Sequence, residues 1–351
     1  MIGYVREDLG RPEGTMRIVC GLSLLAVVAG QLPAQNESAA KLDAKEFSAD
    51  WLPGTRPRDA FADQKGRVWF VGQVGNYVAR LDPATGSIRR FDIDAGTHPH
   101  NLVVDAHGTV WFTGNANNRI VKMDPESGKI TTYMIPDPTV KDPHTMTFDT
   151  KGNAWFTAQG AGVVGRFTTG TGAFKLWKLQ TNSRPYGIVL DSRGRPWFDE
   201  FGTNKIGTID PTTLELKEFP LPEARSRPRR IAITSDDAIW YGDYVRGYLG
   251  RLDPSTGKTE EYLLPSGAGA LPYGMTVDDR DRVWIAETGV FPNRLVSFDT
   301  KKRVFEDQIA IGGKEPNTIR HMMFDRATRM IWFGEDRGTV TRVRVPAVIV
   351  P

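Results

Sequence analysis

Two histidines follow prolines in the pairs Pro99-His100 and Pro143-His144. Near neutrality an imidazole both accepts and donates a proton, so each is a candidate acid or base. At the matching place in other segments stand Arg58, Tyr186, Arg229, Tyr273 and, with one inserted residue after it, Arg320. A guanidinium or phenol there suits substrate binding. Fourteen residues after each lies a second set: Gly72, Gly114, Ala158, Glu200, Asp243, Glu287 and Glu335. Two neighbouring segments thus pair an imidazole with a small residue, and four consecutive ones bring a carboxylate. If these positions converge, they form a polarised mouth that could hold a divalent cation or do acid/base work. The same acids would serve equally well to pair with Arg58, Arg229 and Arg320 inside a charged channel. His98 falls beside this mouth. His107 in a turn, and His321 beside Arg320, read as structural.

The elements that must position these residues are written in a repeat. Trp69, Trp111, Trp155, Trp197, Trp240, Trp284 and Trp332 recur every 42–48 residues. That period suits a four-stranded propeller blade. Each unit has a short alternating strand, a turn with Asp or Gly, and a strand with Val-Trp-Phe or a variant. A third strand then leads to a turn such as Asp82-Pro83-Ala84-Thr85-Gly86, and a fourth ends near Leu-Pro. Pro marks strand ends because it lacks an N–H, and Gly supplies positive φ. Trp and Phe face opposite sides of their strand, so each packs on one neighbouring blade. The last unit lacks a fourth strand, and Glu46–Pro53 matches the missing one. The expected fold is all-β: a seven-bladed β-propeller of four-stranded antiparallel blades over 46–346, the last closed by the N-terminal strand. First strands line the central channel, which places both position sets at one mouth.

The 351 residues are 40% hydrophobic and 25% charged, with a net charge of +3. No basic block stands out, so nucleic acid is not an expected partner. Met16-Arg17, an apolar run Ile18–Ala29 and Leu32-Pro33-Ala34 read as a signal peptide over 1–34, with the start before Met16 mis-assigned. The run is too short to span a membrane. A linker over 35–45 and a tail over 347–351 flank the propeller. The only cysteine, Cys20, lies in the apolar run, so the mature chain would hold no disulfide. A periplasmic or secreted monomer is expected.

Arg184-Pro185-Tyr186-Gly187-Ile188, Trp197-Phe198-Asp199-Glu200 and Asn204-Lys205-Ile206-Gly207-Thr208-Ile209-Asp210-Pro211 resemble the virginiamycin B lyase (streptogramin lyase) family. The resemblance covers about Phe47 to Pro346. It implies a seven-bladed propeller and a carbon–oxygen lyase that linearises a cyclic depsipeptide antibiotic by elimination across its ester. It also implies a magnesium ion held by glutamates, and a histidine in acid/base chemistry. The family motif is Glu-Pro-His opening a blade, a Glu closing its second strand, and Pro-His one blade earlier. Here Asp142-Pro143-His144 and Pro99-His100 are the match. Asp142 replaces the glutamate, Ala158 takes the place of the closing one, and Glu200 follows Tyr186 instead of a histidine.

The resulting expectation is an exported lyase opening a cyclic ester, with His144 as base and His100 as partner acid or positioning group. Asp142, Glu200, Asp243 and Glu287 would be Mg2+ ligands, and Arg58, Tyr186, Arg229, Tyr273 and Arg320 would bind a small-molecule cyclic ester or lactone. A non-catalytic periplasmic propeller that binds a ligand or protein is one alternative. A metal-dependent lactone hydrolase, as in six-bladed relatives, is another; the seven-fold repeat speaks against it.

Overall fold

The computed structural model describes residues 42–346. They form seven four-stranded sheets, each a sequential antiparallel meander apart from the last. In that one, Asp43–Phe47 pairs with Thr339–Arg344 as the outermost strand of the blade carrying Trp332. The closing strand therefore begins at Asp43, inside the segment read as linker, and ends at Phe47. It covers an edge that would otherwise be open to pairing with another chain. The expected signal peptide lies outside the described residues.

Five blades are locked by one recurring device, and a sixth by a variant of it. An Asp ends the inner strand, and its Oδ1 accepts backbone N–H groups of the following turn, as Asp63 does from Lys65 and Arg67. Its other oxygen accepts the indole N–H of the tryptophan six residues on. Trp69, Trp111, Trp155, Trp197 and Trp284 are all held this way, and Thr234 serves Trp240. A buried indole N–H needs such a partner. The neighbouring Phe points to the opposite face: Phe70 packs towards the last blade, and Trp69 towards the second.

One irregularity positions the site. In every blade the inner strand carries one more residue than its partner near its start, as between Pro99–Leu102 and Phe112–Gly114. Such a bulge re-aims side chains. Two consecutive residues of each inner strand consequently enter the channel.

Candidate functional site: an arginine-lined channel mouth

The first-position residues converge. The His100 and His144 rings lie 3.5 Å apart between centroids, and His144 lies 4.0 Å from Tyr186. The Tyr186 and Tyr273 hydroxyls hydrogen-bond to each other. Arg229 stands between them, its guanidinium 4.1 Å from the Tyr273 ring, 4.3 Å from Tyr244, 5.0 Å from Phe201 and 5.3 Å from Tyr186. Arg320 lies 5.4 Å from the Tyr273 ring and makes a two-pronged ion pair with Asp336. Arg58 is buried and bonds Asp59 at 3.3 Å and Gln73 at 2.7 Å.

The second residue of each bulge adds a deeper layer that sequence reasoning missed. It comprises Asp59, Asn101, Thr145, Arg230 and His321, with Gly187 and Gly274 at the other two positions. Asn101 Nδ2 donates to Asp59 Oδ2 at 2.7 Å, and Arg230 Nη1 donates to Thr145 Oγ1 at 3.1 Å. His144 Nδ1 lies 2.9 Å from the same hydroxyl. His321, read as structural, lines a cavity of about 280 Å³ at the far end of the channel together with Thr145. Apolar residues such as Phe61, Ile231, Met275 and Met322 form most of the rest of that wall, with Thr147, Thr276 and Arg326. The pattern that could have revealed this layer is the pair of channel residues after each strand-opening proline. A regular strand would hide it, because alternate side chains face opposite sides.

Burial pushes His100 well below the ordinary imidazole range, and Arg58, His144, Arg230 and Arg320 push the same way. Burial does likewise for His144, helped by Arg230, Arg58 and Arg229. Both rings are neutral at neutral pH. His321 is lowered to about 4 by burial and by Arg230. Burial alone would raise the Tyr273 phenol, but Arg58, Arg230, Arg229 and Arg320 bring it down to about 6. Burial would also raise Asp59, yet Arg58, His321, Arg230 and the Asn101 hydrogen bond hold it low.

The carboxylates do not join this group, and the register explains why. Glu200 stands opposite Pro185, Asp243 opposite Pro228 and Glu287 opposite Pro272, one place from the channel residue. One step along a strand sends a side chain to the other face. Asp243 accepts from the Arg227 backbone and Arg246, and Glu287 from Ser266. Glu335 accepts from Asn317, Arg337, Thr339 and Thr341. Glu200 bonds Thr203, and burial with Glu218 raises it to about 8, so it is protonated at neutrality. Asp142 accepts the backbone N–H groups of Gly160 and Ala161. The expected magnesium ligands each brace a local loop. Among the described residues no group of three or more His, Cys, Asp or Glu is placed to hold a metal ion. The donor set therefore does not fit magnesium.

The Thr-Gly of the second blade and the Asp-Glu of the fourth differ for a local reason. Thr113 accepts the Asn101 N–H and donates to the His144 carbonyl, and Thr157 makes the same bridge from Thr145 to Tyr186. Asp199 takes this slot, accepting the Gly187 N–H. Burial raises Asp199 far above the carboxylate range, so it too carries a proton. Gly187 makes the room: a Cβ there would lie 2.8 Å from Asp199 Oδ2.

A sequence model described as the virginiamycin B lyase family matches residues 52–153. A comparison with curated protein sequences finds no match. Among solved structures, a streptogramin B lyase is 25% identical with a TM-score of 0.78, covering 87% of this chain and 98% of that one. A catalytically inactive variant of virginiamycin B lyase from Staphylococcus aureus, solved with quinupristin, is 26% identical at the same TM-score, covering 87% and 100%. The extracellular domain of a hybrid two-component system from B. thetaiotaomicron is 17% identical with a TM-score of 0.68, covering 88% of this chain and 43% of that one, and shares the fold. With seven four-stranded blades, this partial match and these structures, the chain has a seven-bladed propeller fold similar to that of the streptogramin B lyases.

Proposed function

We propose that the protein is a carbon–oxygen lyase that opens a small cyclic ester by elimination at the arginine-lined mouth. A base removes the proton from a carbon next to a carbonyl. The electron pair forms a carbon–carbon double bond, the ester C–O bond breaks, and the oxygen leaves as a carboxylate. The reading rests chiefly on the neutral imidazole pair standing beside buried guanidiniums at one end of the channel. Neutral imidazole can accept the proton. Guanidiniums fixed in a site shielded from water stabilise both the developing enolate and the departing carboxylate. His100 is the better base of the two, because its Nδ1 has no protein partner whereas that of His144 faces the Thr145 hydroxyl. His144 then positions His100. No step is routed through a metal ion.

The test is incubation with cyclic depsipeptides and lactones, followed by product mass. Elimination leaves the mass unchanged, whereas hydrolysis adds one water and would favour the lactone hydrolase. His100→Ala should lower turnover about 10²–10⁴-fold while the protein stays folded. Turnover at the parent rate would remove His100 from the mechanism. Export belongs to the same proposal, and protein from its host should begin near Gln35. A terminus at Met1 or Met16 would end it. A second reading, a ligand-binding propeller without catalysis, draws on the burial of both rings, His100 being 4% and His144 1% exposed. No opened product from any ester would favour it.

A further inference from the structure

We propose that the mouth is an oxyanion site, which holds a carboxylate or phosphate group of a small molecule between Arg58, Arg229, Arg230 and Arg320. Four guanidiniums enter this end of the channel. The Arg229, Arg230 and Arg320 guanidiniums lie within 5.5 Å of the one Tyr273 ring. Their charge is only partly met. Arg320 is paired with Asp336, and Arg58 reaches Asp59 through a long 3.3 Å contact. Arg229 and Arg230 have no carboxylate partner among the described residues. Arg229 is stacked on aromatic rings, and Arg230 bonds a hydroxyl.

The unsatisfied donors lie in the same place. Arg58 Nη2, Arg229 Nε, and Nε and Nη2 of Arg230 are buried without a hydrogen-bond partner. Arg58 and Arg230 are each 2% exposed. Burying a cation without a partner costs several kcal/mol. A planar guanidinium with free N–H groups is the natural receptor for a carboxylate or phosphate. Asp199, buried on the neighbouring second strand, is protonated and contributes no counter-charge. The Tyr273 oxygen accepts from Arg320 Nη1 at 3.4 Å and, with its phenol lowered to about 6, supplies at most one negative charge against the four guanidiniums. Access is from the Arg229 and Arg320 side, where both arginines are half-buried. The same charge excess repels a divalent cation, in keeping with the dispersed carboxylates.

This site uses the guanidiniums that the proposed reaction also invokes, but it does not need the imidazole pair. It concerns a group the ligand carries before any bond is broken, so anion binding and ester opening succeed or fail separately.

The test titrates the full chain with sodium phosphate and, separately, sodium malonate by calorimetry, at an ionic strength held constant with sodium chloride. One-to-one binding of at least one ion is expected. Arg229→Gln should weaken it at least tenfold, because a charge-assisted donor is lost. Arg229→Lys, which keeps the charge, should retain more of the binding than Arg229→Gln. Lys301→Gln, on an exposed turn, should change nothing. Preference for phosphate assigns a phosphorylated ligand, and preference for malonate a carboxylic acid. Because Arg230→Gln alters the core, its melting temperature without ligand is measured first; a folded variant should also bind more weakly. No heat beyond the chloride control overturns the proposal. So does binding that Arg229→Gln leaves untouched, since that marks an adventitious ion only.

Discussion

The first residues of the inner strands and the last residues of the second strands lie one register step apart, at the same end of the same hairpins. Their fates are opposite. Arg58, His100, His144, Tyr186, Arg229, Tyr273 and Arg320 gather in the channel. Glu200, Asp243, Glu287 and Glu335 turn to the loops beside their own blades. Nearness along the strand therefore says little about shared chemistry. In a pleated sheet the direction of the side chain decides, and the bulge in each inner strand sets that direction.

The sharpest way to break this contrast is to remove an acid outright. Glu335→Ala leaves Asn317, Arg337, Thr339 and Thr341 without their acceptor. A loss of about 3 kcal/mol or more in unfolding free energy is expected, with ligand binding per folded molecule unchanged. Denaturant unfolding measures the first and calorimetry the second. A stable variant with altered binding would put Glu335 back in the mouth.

A middle-sized effect concerns pH. As pH falls below about 6.5, the unfolded chain takes up a proton at His321, while the folded ring stays neutral to about 4. Proton uptake favours the unfolded state, so this residue makes stability fall with acidification between those values. It contributes nothing above about 6.5, where both states are neutral. His321→Asn should flatten the stability–pH curve by about 1.4 kcal/mol per pH unit in that window. An unchanged slope would show that His321 is not held neutral. Asp199 acts in the opposite sense, because the unfolded chain releases a proton there that the folded state keeps.

The smallest effect sharpens the contrast among the acids. Glu200 already carries a proton, so Glu200→Gln replaces one neutral group by another. A change under about 1 kcal/mol is expected near neutral pH. A much larger loss would mean that Glu200 is ionised and that its charge is used.

The blade count was legible in the tryptophan spacing because each indole fills the equivalent slot of its blade, and five of them find an Asp acceptor six residues back. Closure by the N-terminal strand was legible for a similar reason, since a ring missing one strand leaves an edge and the chain start carries the matching pattern. The convergence of His100 and His144 followed from equivalent places in adjacent blades. The directions of Asp142, Glu200, Asp243 and Glu287 were not legible. A fourteen-residue spacing identifies the end of a hairpin but not the face, and the proline, not the channel residue, stands opposite the acid.

The amino-acid sequence by itself determined the number of blades, their order and which residue types reach one end of the ring. Those follow from local patterns that repeat along the chain. Only the tertiary structure decided that the mouth is lined by guanidiniums and neutral imidazoles, with the carboxylates turned away. The physical reason is that charge balance in a channel is a property of seven strands meeting. Arg230 comes close to Tyr186, Tyr273 and Thr145 through the ring, not through neighbours in the chain.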